Sequence, residues 1–89
     1  MIQIAKSSKF LRAYKRLIKG RPELQKIFNE RIVLFMSNPY HPSLETHRLG
    51  GQLKNSWAFS LTHGLRVIFS FHDSNSVILE NIGSHDNMY

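Results

Sequence analysis

The stretch WAFSLTHGLRVIFSFHDSNSVILENI, residues 57–82, decides the fold because apolar side chains alternate with polar or small ones through most of it. Two runs of this alternation, 57–62 and 65–72, flank the dipeptide His63-Gly64, and a third run, 77–82, follows a polar turn. A period of two residues is typical of antiparallel strands that bury one face. The sequence therefore predicts a three-stranded β-meander.

The alternation also assigns side chains to the two faces of the predicted sheet. One face is expected to pack against helices because it carries large apolar side chains, namely Trp57, Phe59, Val67, Phe69 and Leu79. Arg66 lies between the apolar residues Leu65 and Val67. It is therefore expected on the opposite, open face.

The first half of the chain predicts one short strand and two helices. Ile2 and Ile4 alternate with Gln3, and Ser7 and Ser8 can cap a helix that runs to about Lys19. Gly20-Arg21-Pro22 favours the end of that helix and the start of a second one, which Asn38-Pro39 ends. The residues from Tyr40 to Asn55 are expected to form a loop. The prediction is an α+β fold, β-α-α-β-β-β, with a helical hairpin packed on a small, mostly antiparallel sheet.

Length and composition restrict the class of protein. A chain of 89 residues is expected to form a single domain, residues 1–89, around one core. The net charge of +6 favours a polyanionic or acidic partner. The chain has no cysteine and no apolar run that resembles a signal peptide or approaches the ~20 residues of a membrane span. We expect a cytoplasmic protein with no membrane partner.

A basic face is predicted on the first helix. The first 22 residues contain seven basic side chains and no acidic one. Four of the basic residues recur at helical spacing and are candidates for contact with an RNA backbone: Lys9, Arg12, Arg16 and Lys19. A merely solvated surface is the alternative.

Several ionisable residues could cleave RNA through its own 2′-hydroxyl. That reaction needs a base, an acid and a cation for the phosphate, and the candidates are His47, Arg66, His85 and Tyr89. Histidine suits either proton role because its ordinary pKa is about 6.5. Arg48 and Lys54 are better suited to phosphate contacts than to acid–base catalysis. The alternatives are a solvated His47, an Arg66 paired with Glu80, and a frayed chain end.

No metal or cofactor site is predicted. The remaining histidines, His41, His63 and His72, do not show the spacing with acidic residues that is typical of metal ligands, and cysteine ligands are absent. We therefore expect a metal-independent, cofactor-free reaction.

The order of elements and three motifs resemble the RelE/ParE superfamily of bacterial toxins, the toxin half of type II toxin–antitoxin pairs. The motifs are LGGQLKNSW at 49–57, which is similar to the family's Leu-x-Gly-x-Leu-x-Gly-x-Trp pattern, LRVIF at 65–69, and the ending IGSHDNMY at 82–89. The ending resembles that of RelE/StbE-type mRNA interferases. Asn55 replaces the usual glycine of the first motif, and Gly50 replaces a frequent lysine.

The resemblance implies a RelE-like microbial RNase fold and a toxin that cuts messenger RNA in the ribosomal decoding site. By comparison with YoeB- and YafQ-like members, His47 falls where a glutamate or histidine is the candidate base, Arg66 matches the strand arginine, and His85 matches the C-terminal histidine. The implied partners are messenger RNA, the ribosome with its RNA, and a cognate antitoxin in a toxin–antitoxin hetero-oligomer. A ParE-like toxin that inhibits DNA gyrase without nuclease activity is the alternative, because the two branches share a fold.

Overall fold

Two helices and five strands make up the described part of the chain. The structure, a computed structural model, describes residues 1–53 and 55–84, apart from the side chain of Gln52. The elements are β1 (Gln3–Lys6), α1 (Ser8–Ile18), α2 (Pro22–Ser37), β2 (His47–Arg48), β3 (Trp57–Thr62), β4 (Leu65–Asp73) and β5 (Ser76–Ser84). Short 3₁₀ turns at Pro42–Leu44 and Gly51–Leu53 flank β2.

The strands form one mixed sheet in the order β1-β5-β4-β3-β2. β1 pairs with β5 in parallel, and every other pair is antiparallel. The predicted α+β fold and the meander are confirmed. The region from Tyr40 to Asn55 is not simply a loop, however, since it contributes the edge strand β2. β5 also extends beyond the predicted run.

Local capping explains where the helices begin and end. The Ser7 hydroxyl accepts a hydrogen bond from the Phe10 N–H at 3.0 Å and donates to the Glu80 carbonyl at 3.2 Å. The N-cap of α1 is thereby tied to β5. Gly20 takes a positive φ of 70° after α1, and Pro22 is the first residue of α2. These contacts produce the predicted hairpin.

The core lies between the helices and one face of the sheet, which we call the inner face. Phe59 and Phe69 have no exposed surface, and their rings lie 4.8 and 4.9 Å from the ring of Phe35 on α2. Phe10 of α1 is likewise fully buried. The predicted assignment of the inner face is confirmed, with Trp57 only half-buried at its margin.

The opposite, outer face is less open than the sequence predicts. Ala58, Ser60 and Ile68 lie on it, and all three are buried. Small side chains at two of these positions leave little surface to expose, whereas Arg66 on the same face is half-buried. None of the described helices is long and apolar enough to cross a membrane.

Candidate functional site

Two neighbouring rows of side chains on the outer face define the candidate site. In the first row, strand pairing places His47 beside Ala58, which pairs with Ile68. In the second row, Ser60 pairs with Arg66. Side chains of directly paired residues share one face of a sheet. His47 and Arg66 therefore lie on the same face, as the catalytic hypothesis requires.

The separation of the two residues follows from sheet geometry. His47 on β2 and Arg66 on β4 are two strands apart, and their rows are two residues apart along the strands. With strands ~4.8 Å apart and a rise of ~3.4 Å per residue, the Cα atoms are roughly 12 Å apart. The Arg66 guanidinium lies toward the turn after Thr62, on the side of its row that faces away from His47.

The short strand β2 separates His47 from its neighbour Arg48. Successive side chains of a strand point to opposite faces, and Arg48 pairs with Trp57, which belongs to the inner face. His47 and Arg48 therefore lie on opposite faces of the sheet and do not contact the same phosphate. Arg48 is exposed at the margin of the inner face, away from the two rows.

Glu45 adds a carboxylate to the outer face. It takes a left-handed backbone conformation with a φ of 52° at the end of a 3₁₀ turn. Its Oε1 accepts a hydrogen bond of 2.7 Å from the hydroxyl of Ser60, which is buried. The turn that precedes His47 is thus anchored to β3.

The backbone of Glu45 also positions the imidazole of His47. The carbonyl oxygen of Glu45 lies 2.9 Å from Nδ1 of His47. When Nδ1 carries the proton it donates to this carbonyl, and Nε2 is then left with its lone pair. His47 is exposed, so in this tautomer Nε2 is accessible as a base.

Arg66 is held by the turn between β3 and β4. Its Nη1 donates to the carbonyl oxygens of Thr62 and His63 at 3.1 Å, and to that of Leu65 at 3.2 Å. Within residues 1–53 and 55–84 its other guanidinium nitrogens make no hydrogen bond, so they remain available to an anion. The predicted alternative, a pairing of Arg66 with Glu80, is not made in the structure.

Three of the predicted site residues lie outside the described part of the chain. They are the proposed acids His85 and Tyr89 and the proposed phosphate contact Lys54. Ser84, the last described residue, pairs with Leu65 next to Arg66. The described chain therefore ends beside the second row.

The predicted basic face of α1 borders an open groove, which we call the cationic groove. The groove has a volume of about 760 Å³ and lies between α1 and the adjoining ends of β4 and β5. Its basic lining consists of Lys9, Arg12, Arg16, Lys19 and Arg21. The four basic residues predicted from helical spacing are thus brought to one surface. Gly83, which pairs with Arg66, also lines the groove, so the groove adjoins the second row.

Sequence reasoning missed Glu45, Ser60 and Arg21. Glu45 and Ser60 are 15 positions apart and meet only because β2 adds to the edge of the sheet. No periodic pattern marks a two-residue strand. Arg21 was detectable in principle, since it continues the basic run of the first 22 residues just before α2.

Two described groups with shifted pKa values lie away from these rows. Burial raises the pKa of Tyr14. The pKa of Asp73 is lowered, first by the hydrogen bond that its carboxylate accepts from the Asn75 N–H. Neither group takes part in the site. Within residues 1–53 and 55–84, no group of three or more histidine or acidic side chains is arranged to hold a metal ion.

Solved structures with this fold include several bacterial toxins. The metal-bound toxin from Helicobacter pylori is 26% identical over the full length of both chains, with a TM-score of 0.80. A chain of the E. coli DinJ–YafQ toxin–antitoxin complex is 17% identical, with 99% of this chain and 97% of that chain covered and a TM-score of 0.78. The YoeB/ParE toxin from Agrobacterium tumefaciens is 12% identical over 94% of this chain and 99% of that one, with a TM-score of 0.78. No curated protein sequence matches the chain.

The fold, two helices on a five-stranded mixed sheet, thus matches that of these YafQ- and RelE-like structures. A family model described as the bacterial toxin of a type II toxin–antitoxin system, YafQ, matches residues 2–89. The chain belongs to this family of toxins.

Proposed function

We propose that this toxin is an endoribonuclease that cuts messenger RNA on the ribosome and thereby inhibits translation. The observation that supports the proposal best is the placement of His47 and Arg66 on one face of the sheet, in adjacent rows. Both are groups that phosphodiester cleavage requires, a proton acceptor and a fixed cation.

The reaction proceeds by attack of the substrate's own 2′-oxygen. Nε2 of His47 takes the 2′-hydroxyl proton, and the resulting alkoxide forms a bond to the adjacent phosphorus. The bond from phosphorus to the 5′-oxygen breaks, and an acid protonates the leaving oxygen. The products are a 2′,3′-cyclic phosphate and a 5′-hydroxyl. His85 is the proposed acid, with Tyr89 as a second candidate, and no metal or cofactor is required.

Arg66 stabilises the charge that develops on the phosphate oxygens. Nη1 is held by the three turn carbonyls, which fixes the plane of the guanidinium group. Nε and Nη2 can then donate to two phosphate oxygens, as the planar arrangement of donors favours.

The basic residues position the RNA around the cut. Lys9, Arg12, Arg16 and Lys19 are proposed to contact ribosomal RNA from the face of α1, because a row of exposed cations matches a phosphate backbone. Lys54 and Arg48 are proposed to contact phosphates of the message, Arg48 at a distance from the cut because it lies at the margin of the inner face. The site of action is the cytoplasm, where the ribosomes are.

A cognate antitoxin is the proposed protein partner, in a toxin–antitoxin hetero-oligomer. The similar fold in the DinJ–YafQ complex supports this part of the proposal. The net charge of +6 favours an acidic segment in that antitoxin.

The test is to add the purified toxin to a translating extract and to map message ends by primer extension. The expected result is cuts in phase with codons that leave 5′-hydroxyl ends, and their loss for Arg66→Ala and His85→Ala. Lys26→Ala is the matched control, because Lys26 is an exposed cation on α2 and does not line the groove. Intact message together with accumulating gyrase–DNA breaks would contradict the proposal.

A further inference from the structure

An aromatic cluster at the margin of the inner face has no part in the chemistry proposed above. It consists of Tyr40, Trp57 and Phe71, which we call the aromatic shelf. The ring centre of Tyr40 lies 5.9 Å from that of Trp57 and 6.4 Å from that of Phe71, and the ring centres of Trp57 and Phe71 are 5.5 Å apart. Each ring is therefore held in place by the other two.

The aromatic shelf is open to solvent, unlike the aromatic core beside it. Trp57 and Phe71 are half-buried, and Tyr40 is 56% exposed although it contacts both rings. Phe35 and Phe59, by contrast, have no exposed surface. A flat ligand that stacks on Tyr40 meets a ring that is already fixed, so binding costs little side-chain entropy.

A cation stands beside the aromatic shelf. Arg48 of β2 pairs with Trp57 of β3, so their side chains share the inner face with Cβ atoms roughly 5 Å apart. Arg48 is exposed. Proteins bind single-stranded nucleic acids by stacking bases on aromatic rings while cationic side chains contact the phosphates. The shelf and Arg48 combine these two elements.

The strand β2 joins the aromatic shelf to the candidate site. His47 and Arg48 are successive residues of β2, which is the last strand of the sheet on that side. Their side chains lie on opposite faces. A single strand of RNA that passes around this edge meets His47 on the outer face and Arg48 on the inner face.

We propose that the aromatic shelf binds an unpaired nucleobase of the message, stacked on Tyr40, with Arg48 at an adjoining phosphate. The identity of the RNA as message rests on the proposed function. Stacking tolerates any sequence because every base has a π-face. The shelf therefore holds a part of the message that flanks the cut, without selecting its sequence.

The test measures the affinity of the purified toxin for a labelled 2′-O-methyl oligouridylate by fluorescence anisotropy. This probe cannot be cut through its 2′-oxygens. The comparison probe has the same phosphates and abasic sugars in place of the nucleotides. We expect the base-bearing probe to bind at least about fivefold more tightly, because only this probe can stack.

Substitutions on the aromatic shelf separate stacking from charge. Tyr40→Leu keeps an apolar cover over Trp57 and Phe71 but removes the ring. It is expected to lose at least about fivefold in affinity for the base-bearing probe and nothing for the abasic one. Tyr40→Phe keeps the ring and should bind both probes like the wild type.

The cation has its own test with the same two probes. Arg48→Ala should weaken the binding of both probes by the same factor, because it removes a phosphate contact. Lys26→Ala, an exposed cation on α2, is the matched control and should weaken neither. Circular dichroism spectra check that all four variants fold.

Photochemical crosslinking locates the bound base. The probe is a 2′-O-methyl oligouridylate that carries one 5-iodouracil base, which on irradiation attaches to an aromatic ring stacked on it. Mass spectrometry of the digested toxin should find the crosslink on Tyr40 or Trp57.

Three results would overturn the proposal. They are equal affinity of the wild type for the two probes, equal binding of the base-bearing probe by wild type and Tyr40→Leu, and a crosslink outside the aromatic shelf. The message-cleavage assay is separate. Stacking on the shelf of a toxin that leaves message intact would contradict the proposed nuclease and not the nucleobase site.

Discussion

The centre of the inner face carries aromatic and branched side chains with almost no exposed surface. The outer face carries the buried side chains of Ala58, Ser60 and Ile68, flanked by Glu45, His47 and Arg66. Both faces belong to the same strands, because successive side chains of a strand point to opposite sides of the sheet. The aromatic side surrounds Phe35 of α2 with rings. We therefore expect the stability of the fold to depend mainly on the inner face, and cleavage to depend on the outer face.

The largest expected effect is a loss of stability when a core residue of the inner-face packing is truncated. Phe35→Ala removes a fully buried ring from the centre of the inner-face packing. It should lower the free energy of unfolding by about 3–5 kcal/mol, because it loses buried area and leaves a cavity. Urea unfolding measures this change. Val33→Ala on the exposed side of α2 is the control and should change it by less than about 0.5 kcal/mol. Similar losses in both variants would contradict the assignment of the core.

The next effect concerns activity alone. Arg66→Ala should reduce the rate of message cleavage by about 10²–10³-fold, because it removes a fixed donor that stabilises charge in the transition state. The melting temperature should change little, since Nη1 donates only to turn carbonyls at the edge of the strands. Cleavage is followed in a translating extract, with Lys26→Ala as the control. An undiminished rate in a folded Arg66→Ala toxin would contradict the assignment of cleavage to the outer face.

A smaller effect should come from the tether between Ser60 and Glu45. Ser60→Ala removes the 2.7 Å hydrogen bond to the carboxylate, and it should lower the free energy of unfolding by about 1 kcal/mol. Cleavage should slow as well, because the turn that orients His47 loses its anchor on β3. Ser70→Ala is the control, since Ser70 is a serine of the same face in β4, where it pairs with Ile78. Equal behaviour of the two variants would show that the tether is unimportant.

The smallest effect depends on pH and concerns the turn between β4 and β5. Hydrogen bonds to Asn75 and Ser76 lower the pKa of Asp73 below its ordinary value of 3.8. A depressed pKa contributes stability above the unfolded value, and this contribution is lost as the pH falls through the folded pKa. Asp73→Ala should therefore be slightly less stable than the wild type at neutral pH. The difference should shrink below pH 3.8, as thermal melts across pH would show. A difference that does not vary with pH would contradict this account.

Most of the fold was readable because local patterns agree with the final packing. Alternation marked the meander, and helical spacing with Gly20 and Pro22 marked the hairpin. β2 could not be predicted, because a strand of two residues is too short to show an alternation of apolar and polar side chains. The buried middle of the outer face was missed because Ala58 and Ser60 do not look like core residues in a polar alternation.

The candidate site was only partly readable. The alternation around Arg66 placed it on the correct face, and basic spacing on α1 indicated the cationic groove. The carboxylate of Glu45 could not be placed, since its left-handed conformation follows from the 3₁₀ turn and not from a glycine or asparagine at that position. The contact of Nη1 with turn carbonyls likewise depends on the geometry of the bend after Thr62.

The most direct measurement uses ribosomes programmed with a message that carries a single 2′-deoxynucleotide on the 5′ side of the mapped cut. The all-ribose message serves as the control in a single-turnover reaction with the wild-type toxin. If groups on the outer face activate the 2′-hydroxyl, the deoxy position stays intact while the control is cut and leaves a 2′,3′-cyclic phosphate. Cleavage of both messages at the same rate would contradict the proposed chemistry.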